Sequence, residues 1–192
     1  QDEFIQTLSH RLLASYGNEV CITGEPGSGK TRLVLEAIRR DENLQRQVLY
    51  YEDPSDLIED PYLNELSLSG NESTHVFVVD DCHSTFHGSV QTAVHAFSDR
   101  IVLLTITHDH YAADALVIPP LAVEHITSIL HSYREDVGQM ASEYADLCKG
   151  SPRFAHLVGQ SLKTDAGSIV SHPDAVRIVE RIICGKAGTG NA

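Results

Sequence analysis

Short runs of consecutive apolar residues alternate along the chain with stretches in which apolar residues recur every three or four positions. Uninterrupted runs are typical of strands buried on both faces of a sheet, and the longer period is typical of amphipathic helices. The runs predict five strands, at residues 20–23, 48–51, 76–79, 101–106 and 115–118. Because helices alternate with these strands, the pattern indicates an α/β fold whose five-stranded parallel sheet carries helices on both faces.

The helical period predicts helices at residues 2–16, 30–40 and about 89–99. Residues 53–74 hold two prolines and a glycine among many polar residues, which predicts a loop with one short helix. Three further helices are predicted after the last strand, and Pro173 is predicted to open a fourth.

The change from alternating strands and helices to helices alone predicts two subdomains and a tail. We expect an α/β core at residues 1–120, a small helical lid subdomain at residues 121–184 and a linker at residues 185–192, which are rich in glycine. The chain starts without Met, which is compatible with a domain cut from a longer protein.

Composition and charge narrow the class of protein. The formal net charge of −13 disfavours non-specific binding of nucleic acid, although a local basic patch stays compatible with it. The sequence has neither a signal peptide nor the run of about 18 apolar residues that a membrane span needs. Four widely separated cysteines predict buried, reduced thiols. We therefore expect a cytoplasmic protein with no membrane partner.

Histidines form two groups, one at His83 and His87 beside Cys82, the other at His108 and His110. A zinc site needs three or four ligands that converge in space. Neither group supplies the second half of a recognisable ligand spacing, so the sequence predicts no metal site at these histidines.

A phosphate-binding loop follows the first predicted strand and precedes a predicted helix. Residues 24–31 match G-x-x-x-x-G-K-[ST] in full. Glycines let successive backbone N–H groups turn towards a phosphate, and the positive end of the helix points at the same anion. Lys30 can reach the β- and γ-phosphates, and the Thr31 hydroxyl can bind Mg²⁺. The predicted nucleotide-binding residues are Gly24, Glu25, Pro26, Gly27, Ser28, Gly29, Lys30, Thr31 and Arg32.

Two carboxylates end the third predicted strand. Asp80 is predicted to lie beside the phosphate-binding loop and to hold Mg²⁺, largely through water. Asp81 occupies the position from which a general base could polarise an attacking water. An Asp side chain is one methylene shorter than Glu, so an N-capping role for Asp81 stays an alternative.

The phosphate-binding loop, the strand that ends in two aspartates and the trailing helices resemble an AAA+ ATPase module or its signalling relatives, the STAND NTPases. The resemblance covers about residues 4–184 and implies ATP or ADP with Mg²⁺ as ligands. It also implies a polar sensor at the end of the fourth strand. Thr105 and Thr107 both lie there; we expect only one of them to point into the site, and we favour Thr107.

Two stretches of the predicted lid carry further resemblance. Residues 119–124 resemble the entry to the helical lid in these families, and residues 148–155 resemble both the G-x-P-R stretch of AAA+ proteins and the C-x-G-x-P-x-A stretch of STAND proteins. The resemblance implies that Arg153 approaches the γ-phosphate and that Pro152 packs near the nucleotide. A surface arginine in a helix's first turn is the simpler alternative.

One departure concerns the arginine finger that AAA+ rings place between the fourth and fifth strands. Residues 108–114 contain no arginine, and Arg100 precedes the fourth strand, on the wrong side of the sheet. A switch that holds its nucleotide and hydrolyses it slowly therefore fits better than a ring motor.

The leading hypothesis is a STAND-like regulatory ATPase domain. It would couple Mg-ATP binding, exchange or slow hydrolysis to conformational change and oligomerisation, with flanking sensor and effector domains or further copies of itself as partners. The alternatives are an AAA+ ATPase of the initiator or transposition type that acts on nucleic acid, a small-molecule P-loop kinase, and a pseudo-ATPase that binds nucleotide structurally. The acidic charge disfavours the first of these, and the position of the helices after the strands disfavours the kinase.

Overall fold

The computed structural model describes residues 2–14, 19–68, 74–109, 112–137 and 140–164. The chain divides into two compact units, Gln1–Ile118 and Pro119–Ala192. The helix predicted after Pro173 and the predicted tail at 185–192 lie outside the described residues.

The first unit contains a five-stranded parallel sheet, as the apolar runs predicted. Its strands are β1 (Glu19–Thr23), β2 (Val48–Tyr51), β3 (His75–Val79), β4 (Ile101–Thr107) and β5 (Leu116–Val117). They lie in the order β2-β3-β4-β1-β5, so the first strand is inserted between the last two. This order places the carboxyl ends of β1, β3 and β4 along one edge of the sheet.

Helices cover both faces of this sheet. The helices of the first unit are α1 (Asp2–Ala14), α2 (Lys30–Arg40), α3 (Glu42–Gln47), α4 (Pro54–Ile58), α5 (Pro61–Leu68) and α6 (Ser84–His95). Helices α1 to α3 pack on the face that carries Val76 and Val78, and α4 to α6 pack on the face that carries Phe77 and Val79. Alternate residues of one strand thus enter two separate cores, which is why the runs are apolar without alternation.

The helices of the first unit differ from the predictions at three places. Residues 53–74 were predicted to hold one short helix, but they hold α4 and α5. Pro54 and Pro61 open these helices, at the position where the missing N–H of proline costs no hydrogen bond. Helix α3 was not predicted; it is only six residues long, and Asp41 caps it by accepting from two backbone N–H groups.

Helix α6 was predicted to begin near residue 89 but begins at Ser84. The backbone N–H of Ser84 donates to the carboxylate of Asp109 at 2.8 Å. The residue that caps the start of this helix therefore lies beyond β4. The sequence around residue 84 gives no sign of a cap that comes from so far along the chain.

The second unit is helical. It contains α7 (Val123–Tyr133), a 3₁₀ turn (Glu135–Val137), α8 (Met140–Cys148) and α9 (Pro152–Thr164). Apolar side chains of the three helices form one core around Ile126, Leu130 and Tyr144. Ser151 caps α9, since its hydroxyl accepts from the Phe154 N–H at 3.3 Å. None of the described helices combines the length and the apolar character that a bilayer crossing requires.

The cysteines within the described residues are buried, as predicted: Cys21, Cys82 and Cys148. Burial raises the pKa of the Cys148 thiol to about 11. Cys184 lies outside the described residues.

Candidate functional site

The phosphate-binding loop joins β1 to α2 at the carboxyl edge of the sheet. Gly27 and Gly29 adopt φ of 79° and 93°, a left-handed conformation that favours glycine. Gly29 is also the residue before the first turn of α2, and the Ser28 N–H donates to the Glu25 carbonyl at 3.0 Å. The backbone thus turns tightly just before a helix of 11 residues begins. Such a turn at a helix N-terminus is suited to an anion.

Lys30 places its ammonium over this loop. Its Nζ donates to the carbonyl oxygens of Gly24 at 2.8 Å and Glu25 at 3.0 Å. Burial lowers the pKa of Lys30, and the carboxylates of Asp80, Asp81 and Glu25 partly oppose that shift. A half-buried cation beside the loop favours a bound anion.

The Ser28 hydroxyl is buried and lacks a hydrogen-bond partner within the described part of the chain. A buried hydroxyl without a partner is costly, because it has lost its water and gained nothing in return. It lies on the loop itself, where a phosphate oxygen would supply the missing partner.

Asp80 is fixed by three donors. Its Oδ2 accepts from the Thr31 hydroxyl at 2.7 Å and from the Tyr50 hydroxyl at 2.6 Å, and its Oδ1 accepts from the Asp81 N–H at 2.9 Å. The structure therefore brings together Thr31 and Asp80, the two residues predicted to hold Mg²⁺.

Tyr50 was not among the predicted site residues. The register pairs it with Val78, two residues before Asp80, and only knowledge that β2 lies beside β3 could have indicated this. Burial raises the pKa of Tyr50, and the hydrogen bond to Asp80 raises it further.

Asp81, the next residue, differs from Asp80 in its backbone conformation and in its exposure. Its backbone has φ of 49°, an uncommon conformation for a residue other than glycine, and its side chain is 71% exposed. Its Oδ1 lies 3.6 Å from His83 Nε2 and 4.0 Å from His108 Nδ1. One histidine from each of the two groups in the sequence, His83 and His108, thus lies near Asp81.

Comparison with known proteins gives similarity in structure alone. No family model matches the chain, and no curated protein matches it. Among solved structures, a chain of the Drosophila origin recognition complex (ORC) bound to DNA matches with a TM-score of 0.60 at 15% identity, over 95% of this chain and 60% of that chain.

Two other solved structures match as well. C. elegans PCH-2 matches with a TM-score of 0.58 at 11% identity, over 98% of this chain and 69% of that chain. Domain III of the Thermotoga maritima replication initiation protein DnaA matches with a TM-score of 0.54 at 17% identity, over 95% and 92%. The chain shares the fold of these structures, which contains a five-stranded parallel sheet with helices on both faces. At these identities the similarity establishes the fold and nothing finer.

Thr105 and Thr107, the two sensor candidates, were expected to differ in which one points into the site. They are two residues apart and so lie on the same face of the sheet, and what separates them is position along β4. The Thr105 hydroxyl donates to Glu19, the first residue of β1, at 3.3 Å. Thr107 ends β4 beside Thr23, the last residue before the phosphate-binding loop, and accepts from the Asp109 N–H at 3.0 Å. Its role as a sensor stays a prediction.

The two lid motifs contact each other within the second unit. The Leu121 N–H donates to the Gly150 carbonyl at 2.9 Å. Gly150 has φ of 76°, and a Cβ atom there would come within 2.4 Å of the Pro120 ring, so the position requires glycine. Pro152 and Arg153 open α9, and the Arg153 side chain is exposed. That Arg153 approaches a nucleotide, and that Pro152 packs near one, stay predictions.

Proposed function

We propose that this domain is a nucleotide-dependent regulatory ATPase. It binds Mg-ATP at the phosphate-binding loop and couples binding, exchange or slow hydrolysis to conformational change and oligomerisation. The observation that carries the proposal is the loop with its unsatisfied Ser28 hydroxyl and its Lys30 ammonium, next to the hydrogen-bonded pair of Thr31 and Asp80.

A bound phosphate would give Lys30 and Ser28 better hydrogen-bond partners than they have now. Lys30 holds two neutral carbonyl oxygens, and an ammonium gains more from charged phosphate oxygens. Ser28 gains its first partner. The left-handed glycines present backbone N–H groups with no Cβ in the way.

The residues fit Mg²⁺ as well. The Thr31 hydroxyl gives its proton to Asp80, which leaves its oxygen lone pairs for a cation. Asp80 would hold the ion largely through water, since Mg²⁺ gives up its waters reluctantly. When bound, Mg²⁺ would neutralise charge on the β- and γ-phosphates.

Hydrolysis requires a base that water can reach. The exposed Asp81 carboxylate, which lies beyond the end of β3, could accept a proton from an attacking water. Slow turnover is expected because residues 108–114 supply no arginine to stabilise the transferring phosphoryl group.

The test combines turnover with the state of assembly. Phosphate release and molar mass by light scattering would be measured for the wild type with ATP and with ADP. We expect slow release, and a mass that differs between the two nucleotides. Lys30→Ala should lose both responses, whereas Lys163→Ala, an exposed lysine of α9, should retain them. Wild-type turnover in Lys30→Ala would refute the proposal, and equal mass with both nucleotides would refute its coupling to oligomerisation.

A second candidate is an AAA+ ATPase that acts on nucleic acid. Two of the similar structures favour it, since one is ORC bound to DNA and the other belongs to a replication initiation protein. The net charge of −13 opposes it. Gel-shift assays with single- and double-stranded DNA at two salt concentrations would decide, because tight binding that weakens with salt would favour this candidate.

A further inference from the structure

Three side chains with metal-ligating atoms converge beyond the ends of β3 and β4. Asp81, His83 and His108 each offer one such atom, and these atoms lie within 4.8 Å of one another. The two imidazole rings meet edge to face, with their centroids 4.5 Å apart. The cluster joins the segment after β3 to the segment after β4, which are neighbours in the sheet.

The far side of both rings faces a second carboxylate. Asp109 Oδ2 lies 3.9 Å from His83 Nδ1, and Asp109 Oδ1 lies 3.7 Å from His108 Nε2. Each ring therefore points one nitrogen at Asp81 and the other at Asp109. Metal-binding histidines usually donate their second ring N–H to a carboxylate, which fixes the tautomer and orients the ring.

Asp109 is anchored for this role. Its carboxylate accepts from the Ser84 N–H at 2.8 Å, its own N–H donates to Thr107 at 3.0 Å, and its carbonyl accepts from the Thr23 hydroxyl at 3.0 Å. Backbone and side-chain contacts thus hold it between β1, β4 and the start of α6. The ligand side is freer, because 40% of the His83 side chain and 39% of the His108 side chain are exposed.

Small rotations would close the cluster around an ion. Tetrahedral zinc with bonds of about 2.0–2.1 Å needs ligand atoms about 3.4 Å apart. The ligand atoms are now as much as 4.8 Å apart, and exposed side chains can rotate through the difference. Imidazole with carboxylate suits Zn²⁺ and related transition metals better than Mg²⁺.

We propose that Asp81, His83 and His108 form a binding site for a transition-metal ion of the Zn²⁺ class, with Asp109 as the outer partner of both imidazoles. Three protein ligands leave a coordination position open to water. Occupancy would withdraw Asp81 from its role as base, so Zn²⁺ would slow hydrolysis. This second consequence rests on the proposed function, whereas metal binding does not.

Calorimetric titration of nucleotide-free, Mg²⁺-free protein with Zn²⁺ tests the site directly. We expect one ion per chain at this site, and at least tenfold weaker binding in His83→Gln and in His108→Gln. Asp109→Asn should weaken binding by about 10- to 100-fold through loss of the outer contact. His95→Gln, an exposed histidine of α6, should bind as the wild type does, which controls for binding elsewhere.

Cobalt provides a second readout that does not depend on stability. Visible absorption of bound Co²⁺ should report nitrogen ligation in the wild type and in His95→Gln, and the band should be lost in both cluster variants. Wild-type Zn²⁺ affinity and an unchanged Co²⁺ spectrum in His83→Gln and His108→Gln would overturn the proposal. The close approach of the rings and carboxylates would then be only a set of ion pairs.

Turnover separates the two proposals. At saturating Mg-ATP, Zn²⁺ should slow hydrolysis in the wild type and leave His83→Gln unaffected. Calorimetric binding of Zn²⁺ without inhibition would support the metal site and argue against Asp81 as the base. Absence of binding would overturn the metal site and leave nucleotide hydrolysis untouched.

Discussion

The two sides of the sheet's carboxyl edge are built in different ways. On one side, the phosphate-binding loop is a single stretch of eight residues whose conformation is set by its own glycines and by α2. On the other, the histidine cluster takes its members from two segments that meet only because β3 and β4 are adjacent. A contiguous motif can be identified in a sequence, whereas a cluster of this second kind becomes visible only once the strand order is known.

Asp80 and Asp81 show the same contrast at adjacent positions. Asp80 is held by two hydroxyls and a backbone N–H, which suits a residue that must keep its place beside an ion. Asp81 is 71% exposed and has its nearest histidine nitrogens at 3.6 and 4.0 Å, which suits a group that exchanges partners. Under the proposed function, Asp80 would hold the Mg²⁺ ion in place and Asp81 would act on the attacking water.

Asp81→Asn removes the exposed carboxylate of the pair and gives the largest expected effect. Loss of a general base lowers rates by about 10²- to 10⁴-fold. Single-turnover hydrolysis should fall within that range while the affinity for nucleotide is unchanged. Asp56→Asn, an exposed carboxylate in the first turn of α4, is the control. A rate within a factor of two of the wild type would show that Asp81 is not the base.

Tyr50→Phe tests how Asp80 is held in place, because it removes one of the three hydrogen-bond donors to its carboxylate. A hydrogen bond to a charged group at a partly exposed position contributes about 1 kcal/mol, so urea unfolding at pH 8 should show a loss of that size. Weaker Mg²⁺ dependence of nucleotide binding should accompany it. An unchanged free energy of unfolding would mean that Asp80 is held without Tyr50.

The stability that Tyr50 contributes should depend on pH. The folded state raises the pKa of Tyr50, so the unfolded chain loses this proton first as the pH rises above about 10. The contribution of Tyr50 to stability is therefore complete below that pH and is lost above it. The difference in unfolding free energy between wild type and Tyr50→Phe should shrink between pH 8 and pH 10.5.

Ser28→Ala has the smallest expected effect, and its two readouts should move in opposite directions. Removing a buried hydroxyl without a partner should stabilise the nucleotide-free protein by up to about 1 kcal/mol. Losing one hydrogen bond to phosphate should weaken nucleotide binding by about 2- to 10-fold. Ser98→Ala, an exposed serine before β4, should change neither quantity. A loss of stability in Ser28→Ala would show that the hydroxyl already has a partner.

Much of the fold was predictable because its signals are local. The apolar runs located all five strands, and the span of α2 was predicted to the residue. The start of α6 was not, because its cap is supplied by Asp109 from beyond β4. The prolines of α4 and α5 were misleading, since the same residue that breaks a helix also begins one.

The site residues also differ in whether local sequence could indicate them. Residues in the phosphate-binding loop and Asp80 could be named from spacing alone. Tyr50 and the pairing of His83 with His108 could not, because they depend on which strands are neighbours. Sequence position also suggested a choice between Thr105 and Thr107 that the structure recasts as a difference in depth along one strand.

Calorimetric titration of Mg-ATP into the nucleotide-free protein tests the central claim most directly. We expect one site per chain, with affinity reduced about 100-fold in Lys30→Ala, because two charge-assisted hydrogen bonds of about 1.5 kcal/mol each are lost. Lys163→Ala should match the wild type. Equal affinity in Lys30→Ala and wild type, or no heat of binding in either, would contradict the claim that this loop binds nucleotide.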